Sequence, residues 1–152
     1  MRSFYPQVPA GIGELFQEEG LQLLGVADAV VDEAREADYR EWLHRNFHGS
    51  MEYMERHEGG KYRPEALLPG ATSILVVGIN YYQQAKEPRA KEGRIARYAW
   101  GRDYHKVLGK RLKRIARRLQ ERYPEGRFRP FTDATPLAER YYAERGGIGF
   151  QG

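Results

Sequence analysis

The sequence predicts an α+β domain of layered α/β character, a mixed sheet flanked by helices. Three observations carry this. Short apolar runs rich in Val, Ile and Leu alternate with stretches of helical periodicity. The 152 residues suit one domain able to bury a core. There is no cysteine, so neither a disulfide framework nor a Cys-type metal site substitutes for that core.

Taken in order, residues 11–19 read as a short helix with Ile12, Leu15 and Phe16 on one side and Gly20 as its stop. Residues 21–27 read as a strand. Asp32 can cap a helix to about Asn46, with Tyr39, Trp42 and Leu43 spaced for one face, and His48-Gly49-Ser50 closes it. A short helix over 51–57 follows, then a loop marked by Gly59-Gly60, Pro64 and Pro69. Residues 72–81 form the strongest strand, and the unbroken run Ile74 to Val77 predicts a central strand covered on both faces. Residues 83–93 are polar and read as an exposed connection, and 94–99 as a further strand.

Over 103–123, Leu108, Leu112, Ile115 and Leu119 step at i, i+4, i+7 and i+11, and Lys106, Lys110, Lys113 and Arg117 repeat that spacing two residues earlier. Two residues turn a helix by about 200°, so the apolar and cationic stripes face opposite ways. Residues 127–132 are expected to return as a strand, and 136–145 as a helix with Thr135 at its N-cap and Pro136 at its first position.

Charge is concentrated in one region. The net charge is +4, yet residues 102–129 hold eleven Lys or Arg against three acids. A polyanionic partner suits such a face, with salt-dependent affinity, although a helix also shows cations where its surface is simply wet. No apolar run is long enough to cross a bilayer and the N-terminus has no signal-like apolar region, so a soluble cytoplasmic protein is expected.

Several candidate sites can be weighed. Residues 147–152 match G-x-G-x-x-G, but the string follows a helix rather than a strand, which argues against a dinucleotide site. His44 and His48 lie four apart without a following Glu or an evident third ligand, so no metal site is assigned. P-loop and serine-hydrolase signatures are absent. The segment 93–105 is denser, with Arg94, Arg97, Tyr98, Trp100, Tyr104 and His105 around a junction that could grip a large polar cofactor or could be a hydrogen-bonded structural corner. Asp133 precedes the predicted last helix and is not needed as its cap. A carboxyl there is free for acid chemistry, partial burial would favour its protonated form, and the competing reading is an Asx-turn.

Four separated motifs resemble the N-terminal domain of epoxyqueuosine reductase: residues 93–105, His48-Gly49-Ser50-Met51-Glu52-Tyr53-Met54, Leu67-Leu68-Pro69-Gly70-Ala71, and Thr132-Asp133-Ala134-Thr135-Pro136-Leu137-Ala138-Glu139-Arg140. The resemblance implies a nitroreductase-like, cobalamin-binding domain of an oxidoreductase of queuosine biosynthesis, which reduces epoxyqueuosine in the anticodon loop of tRNA. It further implies Asp133 as proton donor, Arg97, Tyr98, Tyr104 and His105 on the cofactor side, and [4Fe-4S] clusters in a following ferredoxin-like domain. No Asp-x-His-x-x-Gly string is present, consistent with a base-off cobalamin. Lys106, Lys110, Lys113 and Arg117 are the expected nucleic-acid contacts. Members of the family continue through Gly-x-Gly-Trp-x-Gly-Lys-Asn where this chain has residues 147–152, and the cluster cysteines would lie beyond. A fragment, or a shortened product served by a separate iron–sulfur protein, is therefore expected, inactive alone. Lys61-Tyr62-Arg63-Pro64 departs from the usual Asp before Pro. A non-catalytic RNA-binding module and a flavin-binding nitroreductase-like protein are the alternative functions.

Overall fold

The computed structural model describes residue 9 and residues 11–84, 93–133 and 135–150. Helix α1 spans Ile12–Glu18 and ends where Gly20 takes a φ of 67°. Gly20 N–H donates to the Gln17 carbonyl and Leu21 N–H to that of Phe16, both at 2.8 Å. This doubly bonded stop needs a left-handed residue, which glycine adopts without a Cβ clash. It turns the chain into strand β1, Gln22–Asp28. Helix α2, Glu33–His44, is capped as its sequence predicts, Asp32 Oδ1 accepting from Arg35 N–H at 2.9 Å. Short helices α3 (Tyr53–Arg56) and α4 (Pro64–Leu67) follow, the second with Pro64 in its first turn inside the stretch expected to be loop. Strand β2, Ser73–Gly78, then pairs with β1.

The sheet of the described residues is two-stranded and antiparallel, running from Gln22 opposite Gly78 to Asp28 opposite Ser73 with an irregularity between Leu23 and Gly25. It is not the mixed sheet expected. Helix α5, Tyr104–Arg122, lies with α1 over one face, and helix α6, Glu139–Arg145, over the other. Ile12, Leu15, Phe16, Leu21, Leu112, Ile115 and Leu119 form the first core, against which Leu23, Leu75 and Val77 pack. Ala27, Ala138, Tyr141 and Tyr142 form the second, with Ile74, Tyr62 and Leu137 at its margin. β2 thus has packed residues on both faces, though its side chains are only half-buried.

Two predicted strands are absent. Residues 93–96 carry no regular structure and 97–99 form a 3-10 turn, because Ile95 finds no core and stays 68% exposed while the Trp100 indole N–H bonds the Ile95 carbonyl at 2.9 Å. Residues 127–132 are irregular. Pro130 has no N–H to give a ladder, Phe128 packs on the first core, and Arg127 and Arg129 donate to the Pro69 and Leu67 carbonyls. Side chains there make the links that backbone pairing would have made.

The last helix starts at Glu139 rather than 136, with Ala138 before it and no side-chain cap. Thr135 is not its cap, since the Thr135 hydroxyl donates to the Thr132 carbonyl at 2.6 Å and closes a local turn. Ala138 N–H is taken by the Lys61 carbonyl at 3.0 Å, which holds residues 135–138 against the chain before α4. Most of the predicted connection 83–93 lies outside the described residues, as do Gln151 and Gly152 of the G-x-G-x-x-G string. Its described part closes α6: Gly147, with φ 78°, donates to Glu144 and Ile148 to Ala143. No described helix is long and apolar enough to cross a membrane.

Candidate active site

The first turn of α5 and the segment ending at Asp133 meet in one hydrogen-bonded cluster. Asp103 occupies the N-cap, and its Oδ1 accepts from the His105 backbone N–H at 3.0 Å, satisfying a donor that the helix leaves open. The same oxygen lies 3.0 Å from His105 Nδ1. The cap therefore sets the imidazole's direction as well as the helix start, and it aims the ring's other nitrogen at Asp133. His105 Nε2 stands 2.9 Å from Asp133 Oδ1. The Tyr104 hydroxyl donates to Asp133 Oδ2. Both carboxylate oxygens are thus engaged by neighbours in α5, and the carboxyl is not held by an Asx-turn onto its own backbone. The expected burial is not found, since the Asp133 side chain is 43% exposed.

Ring packing holds the donors in place. Tyr104 and His105 stack with centroids 4.0 Å apart and planes at 27°, and the Tyr98 ring meets Tyr104 edge-on at 6.1 Å. The hydrogen bond to Asp133, followed by desolvation and that carboxylate's charge, pushes the Tyr104 phenol up to about 12, so near neutral pH it acts as a donor. The hydrogen bond from His105 holds the Asp103 carboxyl below the usual carboxylate range.

Beside Tyr98 opens a groove of about 610 Å³ lined by Ile79, Asn80, Tyr81, Tyr82, Ala96, Arg97 and Tyr98. The Arg97 guanidinium sits 4.9 Å from the Tyr82 ring centre, and Tyr81, Tyr82 and Tyr98 are all more than half exposed. Exposed tyrosines around an arginine make a surface suited to a flat, polar-rimmed ring. Arg97, Tyr98, Tyr104, His105 and Asp133 are therefore brought together. Asp103 and Tyr82 join the site without having been predicted as site residues. An Asp immediately before a helical pattern was the available signal for Asp103; Tyr82 joins the site only through the fold.

The cationic residues divide. Lys106 and Lys110 join Arg102, Arg111 and Arg114 around a second groove of about 420 Å³. Arg111 reaches the Gly20 carbonyl at 3.2 Å, Arg114 grips Glu19 through two nitrogens at 2.6 to 3.0 Å, and Arg118 pairs with Glu18 at 2.6 Å. These three arginines fasten α5 to the end of α1. Lys113 lies further along the exposed face, and Arg117 makes a fully exposed pair with Glu121 at 3.7 Å, a geometry that contributes little. His48, by contrast, is buried against α3 with Nε2 3.1 Å from Glu55, and the described residues contain no group of three metal-ligating side chains.

Comparison with known proteins gives one answer. The family model described as "Epoxyqueuosine reductase QueG, DUF1730" matches residues 61–134. The chain is 39% identical over 142 residues to the epoxyqueuosine reductase of Escherichia coli K12, covering 89% of this chain and 37% of that protein. It is 33% identical over 159 residues to the epoxyqueuosine reductase of Aliivibrio fischeri, covering 100% of this chain and 42% of the relative. The solved structure of epoxyqueuosine reductase from Streptococcus thermophilus superposes with a TM-score of 0.73 at 26% identity, covering 91% of this chain and 38% of that one. The chain spans less than half the length of these relatives.

Proposed function

We propose, from the similarity of this chain to epoxyqueuosine reductases over less than half of their length, that it forms the cobalamin-binding and tRNA-facing part of such an enzyme. The reaction reduces epoxyqueuosine in the anticodon loop of tRNA to queuosine. The single observation that carries this reading is the carboxyl of Asp133, clamped by the Tyr104 hydroxyl and His105 Nε2 beside a tyrosine-lined groove. Reductive opening of an epoxide leaves negative charge on oxygen, and an acid held at a fixed point beside the reacting ring lowers the barrier by supplying a proton as that charge develops.

The groove fits one face of a corrin: it is open, aromatic and edged by a cation. Arg97 and Tyr98 would hold the ring's amide-bearing rim, and Tyr104 and His105 would hold the Asp133 carboxyl in place near it. Cobalamin, when bound, supplies the reducing power for the C–O bond. The chain has no cysteine, so thiolate ligands for iron–sulfur clusters come from a further domain or partner protein. Lys106, Lys110, Lys113 and Arg117 line the side of α5 turned away from the core, where they would meet backbone phosphates.

Titrating the purified chain with cobalamin and following the visible spectrum tests the reading. Base-on to base-off conversion of the bands is expected, and Asp133→Asn should bind cobalamin and tRNA nearly as well while abolishing turnover in the complete enzyme. An unchanged spectrum with salt-sensitive tRNA binding retained would point to an RNA-binding module. Yellow protein as purified would point to a flavin.

A further inference from the structure

Both oxygens of Asp133 have a partner in the first turn of α5. Oδ2 accepts from the Tyr104 hydroxyl, and Oδ1 faces His105 Nε2 at 2.9 Å. Oδ1 and the imidazole nitrogen are thus one short proton transfer apart. The other side of that ring is held equally firmly. Asp103 Oδ1 stands 3.0 Å from Nδ1 and is fixed by the backbone N–H of His105, so rotating the imidazole would give up its contact with an oxygen that the helix cap holds in place.

We infer that the transferable proton of this site resides on His105 Nε2 and passes through Asp133, and that Asp103 is the positioning residue that keeps the second ring proton on Nδ1. This rests on the proposed role of Asp133. In the step, the Nε2–H bond breaks as an O–H bond forms at Asp133 Oδ1, and that proton goes on to the oxygen released by the epoxide. The imidazolium becomes a neutral imidazole protonated at Nδ1, opposite the Asp103 carboxylate. Asp133 returns to a carboxylate under the Tyr104 hydroxyl. Solvent restores the proton at Nε2, which it can reach because the His105 side chain is 42% exposed.

The charged and titratable groups facing the imidazole are Asp103 and Tyr104 from its own element and Asp133 from the segment opposite, with Lys106 next to it on the helix. The stacked Tyr104 face contributes its phenol as a donor to Asp133, not as a competitor for the ring protons.

The test is Asp103→Ser. Serine is as good an N-cap as aspartate, so α5 keeps its start, but its hydroxyl is too short to hold the ring nitrogen as well. Long-range ¹H–¹⁵N correlation on the 152-residue chain reads the His105 tautomer directly. The neutral ring of the unaltered chain should carry its proton on Nδ1, and Asp103→Ser should switch the dominant form to Nε2–H, donating to Asp133. In the complete enzyme the same substitution should lower kcat by about 10²-fold with KM unchanged, and should move the acidic limb of the pH–rate profile. A neutral ring protonated at Nε2 in the unaltered chain, or a tautomer indifferent to Asp103→Ser, overturns the relay. Turnover surviving in Asp133→Asn would instead refute the acid role itself. A dead Asp133→Asn together with an unmoved tautomer discards the relay alone.

Discussion

One substitution type, glycine to alanine, should act with opposite sign at two positions, and the structure gives both magnitudes. At Gly25 in β1 an added Cβ would lie 2.5 Å from the Gly146 carbonyl oxygen and 3.1 Å from Ile148 Cγ1. The first of these contacts is with backbone, so no side-chain rotation relieves it, and the end of α6 must move off the sheet. Gly25 has no positive φ, so the cost is one of space rather than of conformation. Overpacking of this kind costs about 1–3 kcal/mol. At Gly109, inside α5, nothing lies within 4 Å of the added Cβ, and alanine should stabilise the helix by about 0.8–1 kcal/mol. For a chain of this size each kcal/mol moves the melting temperature by about 2–4 °C. Thermal unfolding followed by circular dichroism should therefore show Gly25→Ala lower by roughly 2–12 °C and Gly109→Ala higher by roughly 2–4 °C. A Gly25→Ala protein melting with the unaltered chain would mean that α6 does not press on β1 as described.

Reversing Lys110, Lys113 and Arg117 to Glu should weaken tRNA binding and flatten the dependence of log K on log salt by about one unit per lost phosphate contact; an unchanged slope would make the stripe a solvated surface. Ile115→Ala, at a position 2% exposed in the first core, should destabilise by about 2–5 kcal/mol in urea unfolding. The Asp32 carboxyl is held below its ordinary value by the Arg35 backbone N–H and then by the Tyr141 hydroxyl at 2.5 Å. A depressed folded value stabilises above the unfolded value and is lost as pH falls through the folded one. The stability gap between the unaltered chain and Asp32→Asn should accordingly be full at neutral pH and close on acidification below about pH 4; a gap constant with pH would refute the assignment.

Features set by local chemistry were legible. Gly20 stops α1 because the turn needs a positive φ, Asp32 caps α2 because its side chain reaches Arg35 N–H, and the spacing of Leu112, Ile115 and Leu119 places them in the core. Features decided by distant partners were not. Residues 127–132 are expected to form a strand, but Arg127 and Arg129 instead donate to the Pro69 and Leu67 carbonyls. Thr135 and Pro136 have the identity of a helix start, yet the Thr135 hydroxyl turns back to Thr132. Asp133 stood out by its place in the chain, while its contacts with Tyr104 and His105, 29 and 28 residues earlier, come only with the fold.

Helix α5 joins fold to site because its surface carries three stripes rather than two. Arg111, Arg114 and Arg118 project about 100° from both the leucine-rich stripe and the lysine stripe, given 100° per residue. They sit at the boundary, from which their guanidinium groups reach Glu18, Glu19 and the Gly20 carbonyl. With α1 so fastened, the helix cannot roll, and its first turn arrives at Asp133 in one orientation. The rotation that buries Leu112, Ile115 and Leu119 also presents Lys106 and Lys110 to solvent and aims Tyr104 and His105 at one carboxylate. Loosening the boundary stripe should therefore disturb the site as well as the core. Arg114→Ala should broaden the His105 imidazole resonances although the hydrogen bonds of Arg114 go to Glu19, and unchanged line widths would show that α5 is held by its apolar face alone.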